Sequence, residues 1–327
     1  MKRETIIGLL KESSGYLSGA EMASLLGVTR AAVWKAIGLL KKDGYVIKSS
    51  PAKGYLLVKS PDLCLPDIKE IISPETKKIG NELCFYDSVP STNMVAMDLA
   101  SKGCPDGTVI IADAQTAGKG RLGRSWISPP GKNLYMSIVL RPGISPRDAT
   151  ALTLLAAVAC TSAIRRSASI PASIKWPNDL LVGQRKMGGI LTEIKADIDR
   201  IIYAIVGIGI NVNLHPQDMP EEIKAIATSI FVETGGHFSR SELAGAIILD
   251  FDKWYGRLLT KGKAVIADEW LTMSSTIGER IRVAAVNQTF EGVAEGIDDD
   301  GLLILKLNDG TYLKLSAGDV TIVRTKS

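Results

Sequence analysis

The sequence is short of the residues that hold metals and build disulfides. Its 327 residues include two histidines, His215 and His237, and four cysteines, Cys64, Cys84, Cys104 and Cys160, set far apart with no C-x-x-C pair. That pattern argues against a zinc site and a disulfide framework and fits a reducing cytoplasm. Long apolar runs are also missing. The richest stretch, Ala149 to Ile164, is too short and too threonine-rich to span a bilayer, so it reads as a buried helix and no membrane partner is expected. The opening Met1-Lys2-Arg3-Glu4 carries an acid and runs into a helical pattern, unlike a signal peptide. Neither a Walker A loop nor a dinucleotide fingerprint occurs. The composition is that of an ordinary globular chain, 46% hydrophobic and 23% charged, with length for two or three domains.

Charge is unevenly spread. Residues 1–60 hold ten Lys and Arg against four acids, while the remainder holds 29 against 31. A basic front end on a near-neutral body suggests a module that binds a polyanion. Within it, Ser18-Gly19-Ala20-Glu21 has the form of a capping box opening a helix over 19–26 that buries Ala20, Ala23, Leu25 and Leu26, with Gly27 ending it. Thr29 caps a second helix from Arg30 to Lys41, with Val33, Ala36, Ile37 and Leu40 at helical spacing. Two helices joined by so short a turn form a helix-turn-helix, and Arg30, Trp34 and Lys35 fall outside the buried stripe, free to face a groove. Tyr45 to Ser50 and Tyr55 to Val58 alternate like a hairpin around Pro51-Ala52-Lys53-Gly54, which would be the wing, with Lys53 at its tip. DNA is the expected partner, through Ser18, Thr29, Arg30, Trp34, Lys35 and Lys53; a helical protein-interaction domain is the alternative. Ser60-Pro61-Asp62 and Leu65-Pro66-Asp67 mark a linker over 61–78.

Three segments of the middle of the chain carry chemistry. Gln115 through Trp126 reads QTAGKGRLGRSW. Its glycines allow backbone shapes closed to other residues, their amides can line an anion site, and Lys119, Arg121 and Arg124 add positive charge. Such a loop can hold phosphate oxygens and a carboxylate together; Trp126 can stack on a base or pack in the core. Lys175-Trp176-Pro177-Asn178-Asp179 is followed by Gly183 to Glu193, with Lys186 at a turn before an apolar strand, where a cation can neutralise charge developing between a carboxylate and an α-phosphate. Tyr203 to Asn213 reads as a buried strand whose glycines leave room for a ligand.

These pieces resemble the biotin–protein ligases, specifically the bifunctional biotin ligase/biotin operon repressors. The matching motifs are Ser91-Thr92-Asn93, Gln115 through Trp126, Lys175 through Asp179, Arg185 through Glu193 and Gly207 through Asn213, in family order over most of residues 80–325, with the winged helix ahead of them. The resemblance implies an α+β fold: a winged helix-turn-helix (1–60), a catalytic α/β domain with a mixed sheet (79–275) and an SH3-like β-barrel (276–327). It implies that biotin and ATP with Mg2+ are joined as biotinyl-5′-AMP and that biotin passes to a lysine of a biotin carboxyl carrier protein. It also implies biotin-responsive repression through a palindromic operator bound by an adenylate-loaded homodimer. Carried over by motif, Ser91, Thr92, Asn93, Gln115, Lys119, Gly120, Arg121 and Lys186 would hold biotin. Arg121, Arg124, Trp126 and Asn178 would hold ATP or the adenylate, with Lys186 and Arg121 as the catalytic cations. No resident metal is implied. Two departures stand out. Lys119 replaces an arginine found in some members and lacks its bidentate fork, and Gly188 replaces an alanine, a change expected to be without consequence. Other readings that share the pattern are a ligand-sensing repressor without ligase activity and a lipoate-attaching relative.

From Gly278 onward short alternating runs, Arg280 to Val286, Thr289 to Ile297, Leu302 to Leu307, Thr311 to Leu315 and Val320 to Val323, are parted by hairpin signals at Asp299-Asp300-Gly301 and Asn308-Asp309-Gly310. They predict five strands, with no site residue assignable among them.

Overall fold

The computed structural model describes residues 3–73, 75–285 and 288–323; Val286, the expected end of one strand, lies outside them. The chain divides into two compact units, residues 1–70 and 71–327.

The first unit runs α1 (Arg3–Glu12), α2 (Gly19–Leu26), α3 (Arg30–Lys42), β1 (Val46–Ser50) and β2 (Gly54–Lys59), and α4 (Leu65–Ile72) begins in it. The caps act as the sequence suggests: Ser18 Oγ accepts the Glu21 N–H at 3.0 Å, Gly27 is left-handed at φ 62°, and Thr29 Oγ1 accepts the Ala32 N–H at 3.2 Å. β1 and β2 pair antiparallel from Ser50↔Gly54 to Val46↔Lys59, and the Leu17 and Tyr55 backbones exchange two bonds of 2.9 Å, tying the wing to the start of α2. The core holds Ile6, Ile7 and Leu10 of α1, Met22 and Ala23 of α2, and Val33, Ala36, Ile37 and Leu40 of α3. Burying each large side chain among these contributes about 1.5–3 kcal/mol. One expectation fails on α2. Its buried face centres on Met22 and Ala23, so Ala20 and Leu25, about 100° to either side, are exposed, Leu25 by 63%. The segment expected as a linker carries α4, with Cys64 and Ile68 buried.

The second unit contains β3 (Leu83–Val89), α5 (Thr92–Ser101), β4 (Val109–Gln115), β5 (Leu134–Leu140), α6 (Thr150–Ala168), β6 (Ala172–Lys175), β7 (Asp179–Val182), β8 (Arg185–Ala196), β9 (Ile201–Ile210), α7 (Glu221–Lys224), α8 (Ile230–Thr234), α9 (Arg240–Lys261), α10 (Ala264–Met273) and β10 (Arg280–Ala284). β11 (Thr289–Ile297), β12 (Leu303–Leu307), β13 (Tyr312–Leu315) and β14 (Asp319–Ile322) complete it. Seven strands form a mixed sheet in the order β3-β4-β5-β9-β8-β7-β6, with β3 and β4 parallel and the other pairs antiparallel. Helices cover both faces. Ala96 and Ala100 of α5 pack on Ile110, Val139 and Ile205. α6 lies on the other face: Thr153 bonds Thr192 at 2.7 Å, and Thr192 is one residue from Glu193, the partner of Ile205, so strand alternation separates the two. α6 is long and apolar enough to cross a membrane, yet twelve of its nineteen residues are buried under α9, α10 and the sheet.

The last five strands form an antiparallel sheet, order β13-β12-β11-β10-β14: β10 to β13 pair in succession, with Gly301 and Gly310 in positive φ at the two turns that the hairpin signals marked, and β14 returns to pair with β10. It is fastened to the seven-stranded body at fully buried Trp176, whose backbone N–H donates to Thr276 Oγ1 at 3.0 Å and whose indole N–H donates to the Gly301 carbonyl at 3.3 Å.

Candidate active site

A cleft of about 640 Å³ opens on the α5 side of β8 and β9, a size suited to a drug-sized ligand. Its polar end is built at the start of α5. Ser91, Thr92 and Asn93 are buried, and Gln115, at the end of β4, accepts from the Thr92 N–H at 2.9 Å while its amide donates to Ser128 Oγ at 2.9 Å. Ser137 of β5 lies 2.7 Å from both Thr92 Oγ1 and Asn93 Oδ1, and Asn93 Nδ2 donates to Glu193 at 2.7 Å. Gly207 makes the floor: a β-carbon there would sit 2.9 Å from Asn93 Cγ, so only glycine leaves Asn93 its place. Hydroxyl and amide groups anchored this way present fixed donors and acceptors to a polar ligand head.

The glycine-rich segment forms one wall. Its ends are tied by Trp126 N–H to Gly118 O at 2.9 Å and Gly120 N–H to Arg124 O at 2.7 Å, and its tip is a single 3-10 turn over Arg121–Gly123. Leu122 in that turn has φ 56°, a conformation that strains a side chain bearing a β-carbon, and it is exposed. Arg121 turns into the cleft and donates from Nη1 to Asn178 Oδ1 at 3.0 Å. Burial draws the Arg121 guanidinium below its usual value against the pull of Asp179 and Asp319, and a guanidinium remains protonated throughout. Lys119 is exposed, bridged through its backbone to Ser125. Arg124 pairs with Asp319 of β14, so the C-terminal sheet supplies part of the rim.

The opposite wall carries Lys186. The turn is at Gly183-Gln184, with Gly183 at φ 58°, and Lys186 is the second residue of β8 rather than a turn residue. A bulge between Leu180 and Leu181 sets Leu181 opposite Lys186 and Leu180 opposite Gly188, the sort of irregularity that re-aims a side chain. Lys186 Nζ lies 2.6 Å from Asp179 and 5.6 Å from the centre of the Trp126 ring. Trp126 itself does not enter the core. It lies over Gly209, where a β-carbon would come within 2.7 Å of its Nε1, and that N–H is buried without an acceptor among the described residues. Gly188 is tighter than expected: an added methyl would stand 2.8 Å from the Gly209 carbonyl, so alanine does not fit this backbone unshifted.

The residues foreseen from sequence therefore converge. Ser91, Thr92, Asn93, Gln115, Lys119, Gly120, Arg121, Arg124, Trp126, Asn178 and Lys186 all line one cleft. Sequence reasoning missed Ser137 and Glu193 beneath the floor, Asp179 between the cations, Asp319 at the rim, and an apolar end formed by Leu214, Ile223, Ile226 and Ala227. Asp179 and Glu193 stood inside motifs singled out in the sequence without a role of their own; the others carried no local signal.

Three family models match the chain: HTH domain over residues 2–56, Biotin/lipoate A/B protein ligase family over 85–211, and Biotin protein ligase C terminal domain over 276–323. The bifunctional ligase/repressor BirA of Bacillus subtilis (strain 168) is 40% identical over 98% of each chain. The chain belongs to the BirA family of bifunctional ligase/repressors. A more distant BirA, from Escherichia coli (strain K12), is 28% identical over 97% of this chain and 96% of its own. Among solved structures, the biotin protein ligase of Aquifex aeolicus in complex with biotin and ATP is 28% identical, has a TM-score of 0.64, and matches 75% of this chain and all of its own. The BirA relatives thus match both units, the Aquifex ligase three quarters of the chain.

In the first unit, the residues foreseen as DNA contacts lie on α3, at the caps of α2 and α3 and on the wing. Trp34 is 71% exposed on α3 between exposed Arg30 and Lys35, and Lys53 is exposed at the wing tip, 5.9 Å from the Tyr16 ring. Ser18 and Thr29 use oxygen lone pairs in their caps, and a hydroxyl that accepts can still donate its proton.

Proposed function

We propose that this protein joins biotin to a lysine of a biotin carboxyl carrier protein at the expense of Mg-ATP, through biotinyl-5′-AMP, and represses biotin genes through its winged helix. The observation that carries the enzymatic half is the placing of two cations: Arg121 bonds Asn178, Lys186 pairs with Asp179, and those partners are consecutive residues in one cleft. Two anions that repel each other, a carboxylate and an α-phosphate, need such a pair of charges to meet.

Biotin enters head first, its ureido ring among Ser91, Thr92, Asn93 and Gln115, beneath the segment bearing Lys119, Gly120 and Arg121. A dithiolane has no N–H to donate and only weakly accepting sulfurs, so the polar end favours biotin over lipoate. The carboxylate oxygen attacks the α-phosphorus and pyrophosphate leaves. Lys186 and Arg121 stabilise the charge that builds on the transferring phosphoryl group, while Arg124, Trp126 and Asn178 hold the nucleotide. The carrier lysine, as a free amine, then attacks the mixed anhydride, AMP leaves and the amine proton goes to solvent. No side chain becomes covalently attached; positioning and charge do the work. Closure of the glycine-rich segment keeps water from the anhydride.

Adenylate bound beneath that segment favours a homodimer, which sets two α3 helices on a palindromic operator. The cytoplasm is the compartment in which one protein would meet both partners, carrier and DNA. Incubation with biotin, Mg-ATP and an acceptor domain, followed by mass measurement, tests the ligase: a carrier of unchanged mass refutes it. Gel shifts with and without biotin plus ATP test the repressor, and equal operator affinity in both rules out a corepressor role for the adenylate.

A further inference from the structure

The backbone of Lys186 is gripped from a direction that the nucleotide and biotin groups do not explain. β9 stops at Ile210, opposite Gly188, so the β9 side of Lys186 has no strand partner from the sheet. Residues 226–228 fill that place. The Lys186 N–H donates to the Ile226 carbonyl at 2.7 Å, and the Lys186 carbonyl accepts from the Thr228 N–H at 2.9 Å, a short parallel bridge. Asn211 stitches the same strip to the sheet, donating its backbone N–H to Met187 O at 2.8 Å and its side-chain amide to Thr228 O at 3.0 Å.

One carboxylate holds the strip in place. Thr228 is fully buried, and its hydroxyl donates to Glu233 Oε1 of α8. The same oxygen accepts from Arg185 Nη2 at 2.8 Å. Glu233 thus ties α8 and the strip to the residue just before Lys186. Asp179 fixes only the tip of the lysine; displacing the backbone under it would carry Nζ away from the line between carboxylate and phosphate. A misplacement of about 1 Å in a catalytic group can lower turnover roughly 100-fold.

We propose that Glu233 is the positioning residue for Lys186 in adenylate formation, acting through Thr228 and the 226–228 strip. The proposal rests on the adenylating reading above. It predicts a split between steps: the groups at the polar end stand on α5, β4 and β5 and Lys186 is one biotin contact among several, so biotin affinity falls far less than the rate of the chemical step.

The test uses the full chain, biotin-dependent pyrophosphate exchange at saturating biotin and Mg-ATP, and calorimetric titration with biotin alone. Glu233→Ala and Thr228→Val should each lower exchange turnover about 10- to 100-fold with a much smaller rise in the biotin dissociation constant. Glu233→Gln, whose amide oxygen still accepts the Thr228 hydroxyl, and Thr228→Ser should recover most of the rate. Wild-type turnover in Glu233→Ala and Thr228→Val overturns the proposal. So does a loss of biotin affinity in proportion to turnover, which is general collapse rather than misaimed lysine. A wild-type protein that binds biotin but exchanges no pyrophosphate refutes the adenylating reading itself, and the proposal with it.

Discussion

Gly207→Ala is the substitution that most directly probes the floor of the cleft. The new methyl would lie 2.9 Å from Asn93 Cγ and 3.0 Å from its Nδ2. Asn93 cannot simply swing aside, because Ser137 holds its oxygen at 2.7 Å and Glu193 its nitrogen at 2.7 Å. Forcing a methylene into a packed site costs about 1–3 kcal/mol, and each hydrogen bond disturbed adds about 1 kcal/mol. A loss near 3 kcal/mol in urea unfolding is expected. Ser137 also contacts Thr92, and Thr92 holds Gln115, so the displacement reaches the biotin groups and weakens biotin binding at least tenfold, about 1.4 kcal/mol. The double variant Asn93→Ala with Gly207→Ala removes the clash, so its stability should exceed the additive expectation by about 1–2 kcal/mol. A Gly207→Ala protein with wild-type stability and biotin affinity, or strict additivity in the pair, would refute the reasoning.

Four further outcomes are expected. Lys186→Ala should slow biotinyl-adenylate formation at least 100-fold with an unchanged unfolding midpoint, read by pyrophosphate exchange and circular dichroism. Arg121→Gly removes the bond to Asn178 and should release adenylate faster, measured by chasing labelled adenylate; an unchanged dissociation rate rejects that role. Lys35→Ala should weaken operator binding and reduce the slope of log affinity against log salt by about 1, read by gel shift across a salt series. Burial pushes the Cys64 thiol up to about 11 and raises that of fully buried Cys160 further; a raised thiol value means less thiolate, so native protein at pH 8 should leave both unalkylated by iodoacetamide in peptide mass spectra.

The winged helix was legible because its signals are local. A serine or threonine cap and a glycine stop act within one turn of helix and a stripe of four apolar residues within about two, and α2 and α3 begin where Ser18 and Thr29 indicate. Burial on α2 was misread because Leu25 is apolar, whereas the face that packs is chosen by α3, beyond the reach of eight residues read alone. The cleft divides the same way. Arg121, Asn178 and Lys186 sit in glycine-rich or polar motifs that stand out in a linear reading. Ser137 and Glu193 are single polar residues in strands, and Asp319 is nearly two hundred residues from its partner Arg124; only the folding of the sheet makes them neighbours. The sequence offers Trp126 a stacking or a packing role, and the bare backbone of Gly209 is what gives its ring a place in the cleft.

The final strand performs two tasks with four residues. β14 supplies the outer hydrogen bonds of β10, and its first residue, Asp319, holds Arg124 at the mouth of the cleft. Clipping the chain just ahead of Asp319 would uncover a raw sheet edge, prone to sticking to other chains, and would at the same moment unlatch the glycine-rich wall. Proteolytic trimming of this tail therefore has no mild form: solubility and grip on the nucleotide are surrendered together.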